Sequence, residues 1–292
     1  MAVAMEFLEK VRLVAAQYSL LLVIALLLAL VALSVETVVL IAGNTAPGSA
    51  APPQLEVTVD LPRPTAEPLV TVEQIRRLSY HDSLMGDVQW QLSRSDLSEL
   101  NRILWQYDIT TPEQISQFLA QATVESAAGR RLTETGDEAY FQSRGYNTGT
   151  RGAGYIHLTF EYGQMAFSTW MMKNYMPELS EIGYVSPANH SREEISAVYY
   201  QALKTAADRG LDVSRYSRIV YDPSSTLTTG ADYIAEAFAW ESAGYYWSMA
   251  EINDAFQSTP GVENTDIASA LVGGEHWQSR REAYLAFYPV LS

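Results

Sequence analysis

The stretch that decides the fold runs from Gln117 to Thr159 and reads QFLAQATVESAAGRRLTETGDEAYFQSRGYNTGTRGAGYIHLT. It begins as an amphipathic helix whose apolar stripe, starting at Ile115, continues to Glu125. A carboxylate in an apolar stripe is unusual, because Asp and Glu are rarely buried without a partner or a function. Glu134 follows, then a glycine-rich run and the alternating segment 155–159, which predicts a short strand. An acid on a helix, an acid in a loop and a glycine loop suit a cleft that binds and cuts a polymer.

The composition narrows the class of protein. The chain has 292 residues and 34 Asp and Glu against 19 Lys and Arg, so we expect no nucleic acid bound through a basic surface. The absence of cysteine excludes a disulfide framework, a thiol nucleophile and thiolate metal sites. The four histidines show no metal-ligand spacing and the sequence has no phosphate-loop motif, so we expect neither a metal nor another cofactor.

Residues 18–42 are predicted to form a transmembrane anchor. Leu20–Leu33 contains only Leu, Ile, Val and Ala, and the uncharged run around it is long enough to cross a bilayer as a helix. Lys10 and Arg12 precede this run and no basic residue follows closely, which predicts a cytoplasmic N-terminus (1–17) and an extracytoplasmic main domain. A cleaved signal peptide is the alternative, although its apolar region is usually shorter.

A proline-rich linker and a mostly helical domain follow the anchor. The composition of residues 43–69 predicts an extended linker, and the domain itself spans 70–292. Strand signals in this domain are few and short, so the predicted fold class is mostly α with a small β element. The helix signals are a short helix at Val72–Ser79, a cap at Ser95 or Asp96, and capping boxes at Thr111–Gln114 and Ser191–Glu194.

Three linked motifs resemble a known family. FLAQ-x3-ES, YF-x2-RGY and RGAGYIHLT-x2-Y occur in this order. They resemble the family 19 glycoside hydrolases, the chitinase-like and endolysin-like members of the lysozyme-like superfamily, which show a FLAQ-x-x-HES helix end and a G-x-GYIQLTG segment. The resemblance implies a lysozyme-like α+β fold with two helical lobes around a cleft and a small β element beside it, preceded here by the transmembrane helix.

Glycoside hydrolysis requires two carboxyl groups in different environments, one protonated and one ionised. Glu125 suits the acid, because desolvation at the end of an apolar stripe raises the pKa of a carboxyl group. Glu134 suits the base because its loop is polar, although Asp137 and Glu138 lie close by and either could be the base. The resemblance implies the same two roles, an inverting reaction, and a Thr159 that helps to hold the attacking water.

Other residues are predicted to bind substrate. The resemblance implies that Tyr162 is a cleft tyrosine, and Tyr155 and His157 are expected to line the same wall. The glycines of Gly152–Gly154 do not fit a dinucleotide loop, because the third glycine position is His157. They are expected instead to let the backbone approach a sugar chain closely.

Two later segments also resemble parts of the family. Val272–Gly274, followed by Arg280 and Arg281, resembles its NGG segment and downstream arginine, and Arg281 is predicted to bind substrate. Phe238–Trp247 resembles an aromatic segment near the family's cleft, but so dense an aromatic stretch is more typical of a core.

The sequence therefore predicts a single-pass membrane glycosidase that cleaves β-1,4 linkages of N-acetylglucosamine-containing polymers by inverting general acid/base catalysis. Peptidoglycan is the expected substrate, because the anchor places the domain beside the cell wall and the motifs are endolysin-like. A chitinase acting on chitin oligomers is one alternative. A non-catalytic cell-wall glycan-binding module is another, because Val124, His157, Gly163 and Val272 replace family residues that bind sugar or position water.

Overall fold

The computed structural model of the chain describes residues 67–82 and 86–292. This part is mostly helical with one two-stranded sheet, which confirms the mostly α fold class with a small β element. None of the helices in it is both long and apolar enough to cross a membrane. The predicted cytoplasmic N-terminus (1–17), the transmembrane anchor (18–42) and nearly all of the linker (43–69) lie outside the described residues.

The elements follow one another along the chain with short connections. Their bounds are α1 (Val72–Arg77), β1 (Ser79–Asp82), β2 (Gly86–Gln89), α2 (Arg94–Gln106), α3 (Pro112–Ser126), α4 (Glu138–Ser143), α5 (Glu161–Tyr175), α6 (Arg192–Asp208), α7 (Ser214–Ser217), α8 (Ala231–Ala237), α9 (Ala239–Met249), α10 (Ile252–Ala255), α11 (Val262–Val272) and α12 (Trp277–Leu291), with 3₁₀ turns at Thr148–Thr150 and Pro177–Leu179.

The position of the sheet differs from the prediction. β1 and β2 pair antiparallel, with Ser79 opposite Gln89, whereas the sequence predicts helix as far as Ser79. Both strands are short and mostly polar, so they lack the apolar alternation that marks a strand. Tyr80 packs edge-on against Phe287 of α12, with 5.9 Å between the ring centroids. The sheet therefore lies against α12 and not at residues 155–159, where the sequence predicts a strand.

Capping residues determine where the longer helices begin. The capping boxes Thr111–Gln114 and Ser191–Glu194 start α3 and α6, as predicted. The start of α2 differs from the prediction, because Ser93 is the cap and Asp96 closes its capping box. A side-chain cap of this kind stabilises a helix by about 1 kcal/mol, so these boxes fix the start of the helix that carries Glu125.

α3 is the central helix of the described domain. Its apolar residues Ile115, Phe118 and Leu119 are buried, and so are polar residues on its other faces. α11 and α12 pack against it, so its buried surface is wider than the single stripe that the sequence predicts. Burial of one such apolar side chain contributes about 1.5–3 kcal/mol. α3 is therefore a firmly held support for Glu125 in its last turn.

An aromatic cluster joins α3 to the segment that follows the glycine run. Tyr155 stacks on Trp240 with 3.5 Å between ring centroids, and Trp90 and Phe118 also contact Trp240, at 5.8 and 6.0 Å. All four side chains are buried. The stretch Phe238–Trp247 therefore belongs mainly to the core, as its density of aromatic residues predicts.

Glu241 is a buried carboxylate within that core stretch. It is 2% exposed and accepts hydrogen bonds from Gln106 at 2.7 Å, Tyr107 at 2.6 Å and Tyr175 at 2.7 Å. Arg102 forms an ion pair with it. A buried carboxylate is tolerated only where charged and hydrogen-bonding partners offset its desolvation. This network joins α9 to α2 and to the end of α5.

A second buried carboxylate, Glu113, lies in the first turn of α3. It accepts hydrogen bonds from Asn264 of α11 at 2.9 Å and from Tyr284 of α12 at 2.7 Å. Burial, together with this carboxylate, raises the pKa of Tyr284. Glu113 therefore holds the beginning of α3 against the same two helices that cover its centre.

Candidate active site

Glu125 ends α3 and lies between two cationic or potentially cationic side chains. Its Oε1 accepts a hydrogen bond from Nη2 of Arg280 at 2.5 Å, and its Oε2 lies 3.4 Å from Nδ1 of His157. The helix stops just beyond it because Ala127 adopts a left-handed conformation with φ 51°. The Glu125 side chain is 18% exposed, so the carboxylate is shielded but still reaches solvent.

The pKa of Glu125 differs in direction from the prediction. Burial raises it, but the hydrogen bond with His157 and the charge of Arg280 outweigh burial and lower it to about 2. The sequence-based expectation of a raised pKa is therefore wrong. The pKa is lowered by a long-range contact, because Arg280 lies 155 positions further along the chain than Glu125.

Arg280, and not Arg281, is the arginine of this site. Its Nε donates to the carbonyl of Glu275 at 3.0 Å and its Nη1 donates to Gln121, and it is 1% exposed. Gly274 leaves room for it, because a Cβ there would overlap the guanidinium group. Arg281 instead pairs with Asp266 through contacts of 2.7 and 2.5 Å. The predicted substrate role of Arg281 therefore finds no support in its position.

Adjacent residues of a helix point about 100° apart. Arg280 and Arg281 therefore face different neighbours, and the prediction from the sequence chose the wrong one of the two. Arg280 faces α3 while Arg281 faces the partly exposed surface beside α11, with its side chain 42% exposed. The glycines before them indicate the correct region but not which arginine turns inward.

Glu134 is held by hydroxyl and backbone donors. Its Oε1 accepts hydrogen bonds from the hydroxyls of Tyr146 at 2.8 Å and Tyr140 at 3.2 Å, and its Oε2 accepts one from the backbone N–H of Gly152 at 3.2 Å. Its own backbone N–H donates to the Gly152 carbonyl at 2.8 Å. Glu134 is half-buried. Its surroundings are polar and uncharged, in contrast with those of Glu125.

The two other acidic residues near Glu134 have structural contacts of their own. Asp137 caps α4 by accepting a hydrogen bond from the backbone N–H of Tyr140 at 2.8 Å. Glu138 is exposed and accepts a hydrogen bond from the backbone N–H of Thr148 at 3.0 Å. Of the three candidate bases, Glu134 is the one that contacts Gly152, the glycine packed against His157.

The segment after the glycine run is a turn and not the predicted strand. An antiparallel bridge between Ala153 and Leu158 encloses it, with Gly154 at φ 83° and His157 at φ 44°. A positive φ is uncommon for a residue with a side chain. The turn directs the His157 ring towards Glu125 on one side and the carbonyl of Arg131 on the other, the latter at 3.4 Å from Nε2.

Gly152 brings the two acids to a common structural unit. A Cβ at Gly152 would lie 2.8 Å from Cβ of His157 and 3.4 Å from Oγ1 of Thr159. His157 contacts Glu125, while the N–H of Gly152 contacts Glu134. The predicted close approach at this glycine is therefore made by protein atoms, and it places both carboxyl groups against one short segment.

The remaining predicted residues Thr159, Tyr162 and Tyr155 lie in three different surroundings. Thr159 is half-buried and its hydroxyl donates to the carbonyl of His157 at 2.8 Å, so it lies in the same cluster as the acids. Tyr162 is half-buried and lines an open groove. Tyr155 is 5% exposed and stacked in the core. It therefore presents no face to a substrate, contrary to the prediction.

Three contributions to the site are not assigned from the sequence. Arg280 clamps Glu125 and Tyr146 holds Glu134. The third is Tyr246, whose pKa is raised by burial and by the charge of Glu125 and whose hydroxyl donates to the carbonyl of Leu271 at 3.2 Å. The signal for Tyr146 is present in the RGY motif, but the motif alone does not show which partner the hydroxyl reaches.

Within residues 67–82 and 86–292, no group of three or more His, Asp or Glu side chains could hold a metal ion. Comparison with known proteins adds no relative, since no family model, no curated protein and no solved structure matches the chain.

Proposed function

We propose that this chain is a glycosidase that cleaves β-1,4 linkages of an N-acetylglucosamine-containing polymer by inverting general acid/base catalysis, with Glu125 as the acid and Glu134 as the base. The observation that carries the proposal is the pairing of two carboxyl groups in unlike environments. Both contact one short segment, Gly152–Thr159, and one faces an arginine and a histidine while the other faces neutral donors. Unlike environments are what separate an acid from a base.

The acid must hold a proton when the glycosidic oxygen leaves, and the two oxygens of Glu125 have different neighbours. Oε1 accepts a hydrogen bond from Arg280 at 2.5 Å. Oε2 lies 3.4 Å from Nδ1 of His157, whose Nε2 lies 3.4 Å from the Arg131 carbonyl. In the proposed reaction Oε2, which Arg280 does not contact, is the oxygen that delivers the proton.

Glu134 is suited to activate water. Inversion requires a water between the two carboxyl groups, which are then roughly 6.5–9.5 Å apart. Thr159, beside Gly152, offers an oxygen that accepts a hydrogen bond from that water, because its own hydrogen is directed to the His157 carbonyl. The donors from Tyr140 and Tyr146 keep Glu134 oriented. The lysozyme-like arrangement of two helical lobes around a cleft belongs to the same proposal.

Peptidoglycan is the proposed substrate and the cell envelope the proposed location. The predicted anchor at residues 18–42, with basic residues before it, favours a single-pass protein whose catalytic domain lies outside the cytoplasm. A tethered domain there meets cell-wall glycan before any soluble chitin. Chitin oligomers share the N-acetylglucosamine unit and are the alternative substrate.

A second candidate function has its own support. A carboxyl group with a pKa of about 2 is ionised at neutral pH, and His157, Val124 and Val272 stand where family members have other residues. These features favour a glycan-binding module that has kept the site without turnover. The two functions differ in whether product appears.

Mass spectrometry of products tests the proposal. Full-length protein in a mild non-ionic detergent is incubated separately with purified peptidoglycan and with chitin oligomers, next to Glu125→Gln, Glu134→Gln, Asp137→Asn and Glu138→Gln. Muropeptide fragments from wild type that vanish in the first two variants and persist in the last two are the expected result. Chito-oligomers alone change the substrate to chitin. No product from wild type on either polymer selects the binding module, and product from Glu125→Gln ends the assignment of the acid.

A further inference from the structure

An open groove adjoins the candidate base. It has a volume of about 440 Å³ and lies between the segment that follows Gly145 and the first turns of α6. Its lining includes Tyr146, Phe160, Tyr162 and Tyr200. The volume lies within the roughly 300–1,000 Å³ of typical small-molecule sites. None of the groove residues on α6 belongs to the motifs that suggest catalysis.

Aromatic rings form one wall of this groove. Phe160 and Tyr162 are nearly parallel, with an interplanar angle of 16° and 5.2 Å between centroids, and Tyr146 meets Phe160 edge-on at 5.3 Å. The guanidinium of Arg192 lies 4.9 Å from the centre of the Tyr162 ring, and it forms no salt bridge with any residue that the structure describes. The Tyr162 ring is therefore already in contact with Phe160 and Arg192, and the guanidinium of Arg192 offers hydrogen-bond donors to the groove.

The opposite wall comes from one face of α6. Arg192, Ser196 and Tyr200 are spaced four residues apart, so they share a helix face. Tyr200 is 57% exposed, an unusual exposure for an aromatic side chain on a helix whose neighbour Tyr199 is buried. A ring that stands in solvent at the edge of a groove is available to a ligand.

Phe160 has a backbone conformation that is uncommon for its residue type. Its φ is 69° and its ψ is 147°, and it precedes α5 without a side-chain cap. A bulky residue with positive φ is a strained outlier, and such outliers cluster at functional sites. Ser or Asp at this position would cap the helix. The phenylalanine instead supplies a ring to the groove wall.

The groove adjoins the candidate base through Tyr146. Tyr146 lines the groove and also donates its hydroxyl to Glu134 at 2.8 Å. Phe160, which also lines the groove, directly follows Thr159 in the chain. A ligand in this groove therefore lies beside the residue that orients Glu134.

We propose that this groove binds the continuing sugar chain of the polymer, with a pyranose ring against Tyr200 and its hydroxyl or acetamido groups against Arg192 and Ser196. The inference rests on the proposed function, because the polymer is the one whose bond lies between the two acids. The groove makes the protein prefer long glycan chains over short ones.

Binding measured without turnover tests the groove. Calorimetric titration uses full-length Glu125→Gln with the dimer and the hexamer of N-acetylglucosamine, alone and combined with Tyr200→Ala, Tyr200→Phe or Leu285→Ala. Leu285 is a matched control, since it is helix-borne and 60% exposed but lies outside the groove lining. An aromatic contact of this kind is worth about threefold to tenfold in affinity.

The expected result is a hexamer dissociation constant raised about threefold to tenfold by Tyr200→Ala and changed less than about twofold by Tyr200→Phe or Leu285→Ala. Equal hexamer affinity in Tyr200→Ala, or no hexamer binding at all, overturns the inference. Failure of the proposed function is read separately from the wild-type products. If Tyr200→Ala binds the hexamer more weakly and wild type gives no product, the groove binds glycan but the proposed catalysis is wrong. If wild type gives product and Tyr200→Ala binds the hexamer as before, the catalysis is supported and the groove inference is wrong.

Discussion

Replacing Glu125 with glutamine is expected to destabilise the protein as well as to stop turnover. Many catalytic carboxyl groups are unfavourable for stability, so their replacement often raises the melting temperature. Glu125 differs, because Arg280 contacts it at 2.5 Å and has a side chain only 2% exposed. Glutamine removes the charge opposite a buried guanidinium group, and a buried charge that loses its partner is costly.

The magnitude follows from the pKa. The pKa of this carboxyl group falls from its ordinary 4.5 to about 2, and at about 1.4 kcal/mol per pKa unit this favours the folded, ionised form by about 3 kcal/mol. Because the folded pKa is the lower one, the stabilisation is fully present above pH 4.5 and is lost as the pH falls through about 2. For a domain of this size the corresponding decrease in melting temperature is about 5–10 °C.

Thermal and urea unfolding of full-length wild type and Glu125→Gln, followed by circular dichroism between pH 2 and 8, measures this difference. Glu134→Gln is the matched control, since its amide oxygen can accept from the Gly152 N–H while its NH2 donates to a tyrosine hydroxyl, and the expected loss is below about 1 kcal/mol. The gap between wild type and Glu125→Gln should be constant above pH 5 and should close towards pH 2. An equal or higher melting temperature for Glu125→Gln at pH 7 would refute the ion-pair reasoning.

Three further changes separate the structural roles. Arg280→Met should lower kcat/KM at least about tenfold, since a positioned acid contributes about that much or more. Arg281→Met should change kcat/KM by less than about twofold. Equal losses in the two variants, measured on the same oligomer, would contradict the assignment of Arg280 to the site. Tyr146→Phe removes one hydrogen bond to a carboxylate, worth about 1.5–3 kcal/mol of stability, so the melting temperature should fall by about 3–10 °C and kcat should fall because Glu134 loses one of the groups that orient it. Unchanged values of both would contradict the contact with Glu134. Glu241→Gln should cost about 1–3 kcal/mol in urea unfolding, because Arg102 keeps Glu99 but loses a hydrogen-bonded charge at 2% exposure. A loss below about 0.5 kcal/mol would show that the network does not depend on this charge.

Local signals in the sequence predict the parts of the fold that local physics determines. The capping boxes of α3 and α6 have the predicted residues, because a cap depends on side chains within one turn. The core position of Phe238–Trp247 follows from the density of large apolar rings. The two strands near Ser79 escape prediction, since they are short, polar and held by contacts with α12.

The candidate site divides in the same way. Glu125 stands out because its helix period is local, and Glu134 follows at a short distance. The partner of Glu125 cannot be identified from the sequence, because the choice between Arg280 and Arg281 depends on how α12 is rotated against α3. The burial of Tyr155 depends likewise on Trp240, 85 positions later. The direction of the pKa of Glu125 then follows from the partner, so sequence reasoning about burial alone gives the wrong sign.

The two carboxylates of α3 have a consequence for motion. Glu113 near its start and Glu125 near its end are roughly 18 Å apart at 1.5 Å per residue, and both contact α12, through Tyr284 and Arg280. A helix pair held at two such distant points resists sliding and rotation. We therefore expect α3 and α12 to move as one body, so that Glu125 and Arg280 keep their mutual geometry when the rest of the domain fluctuates.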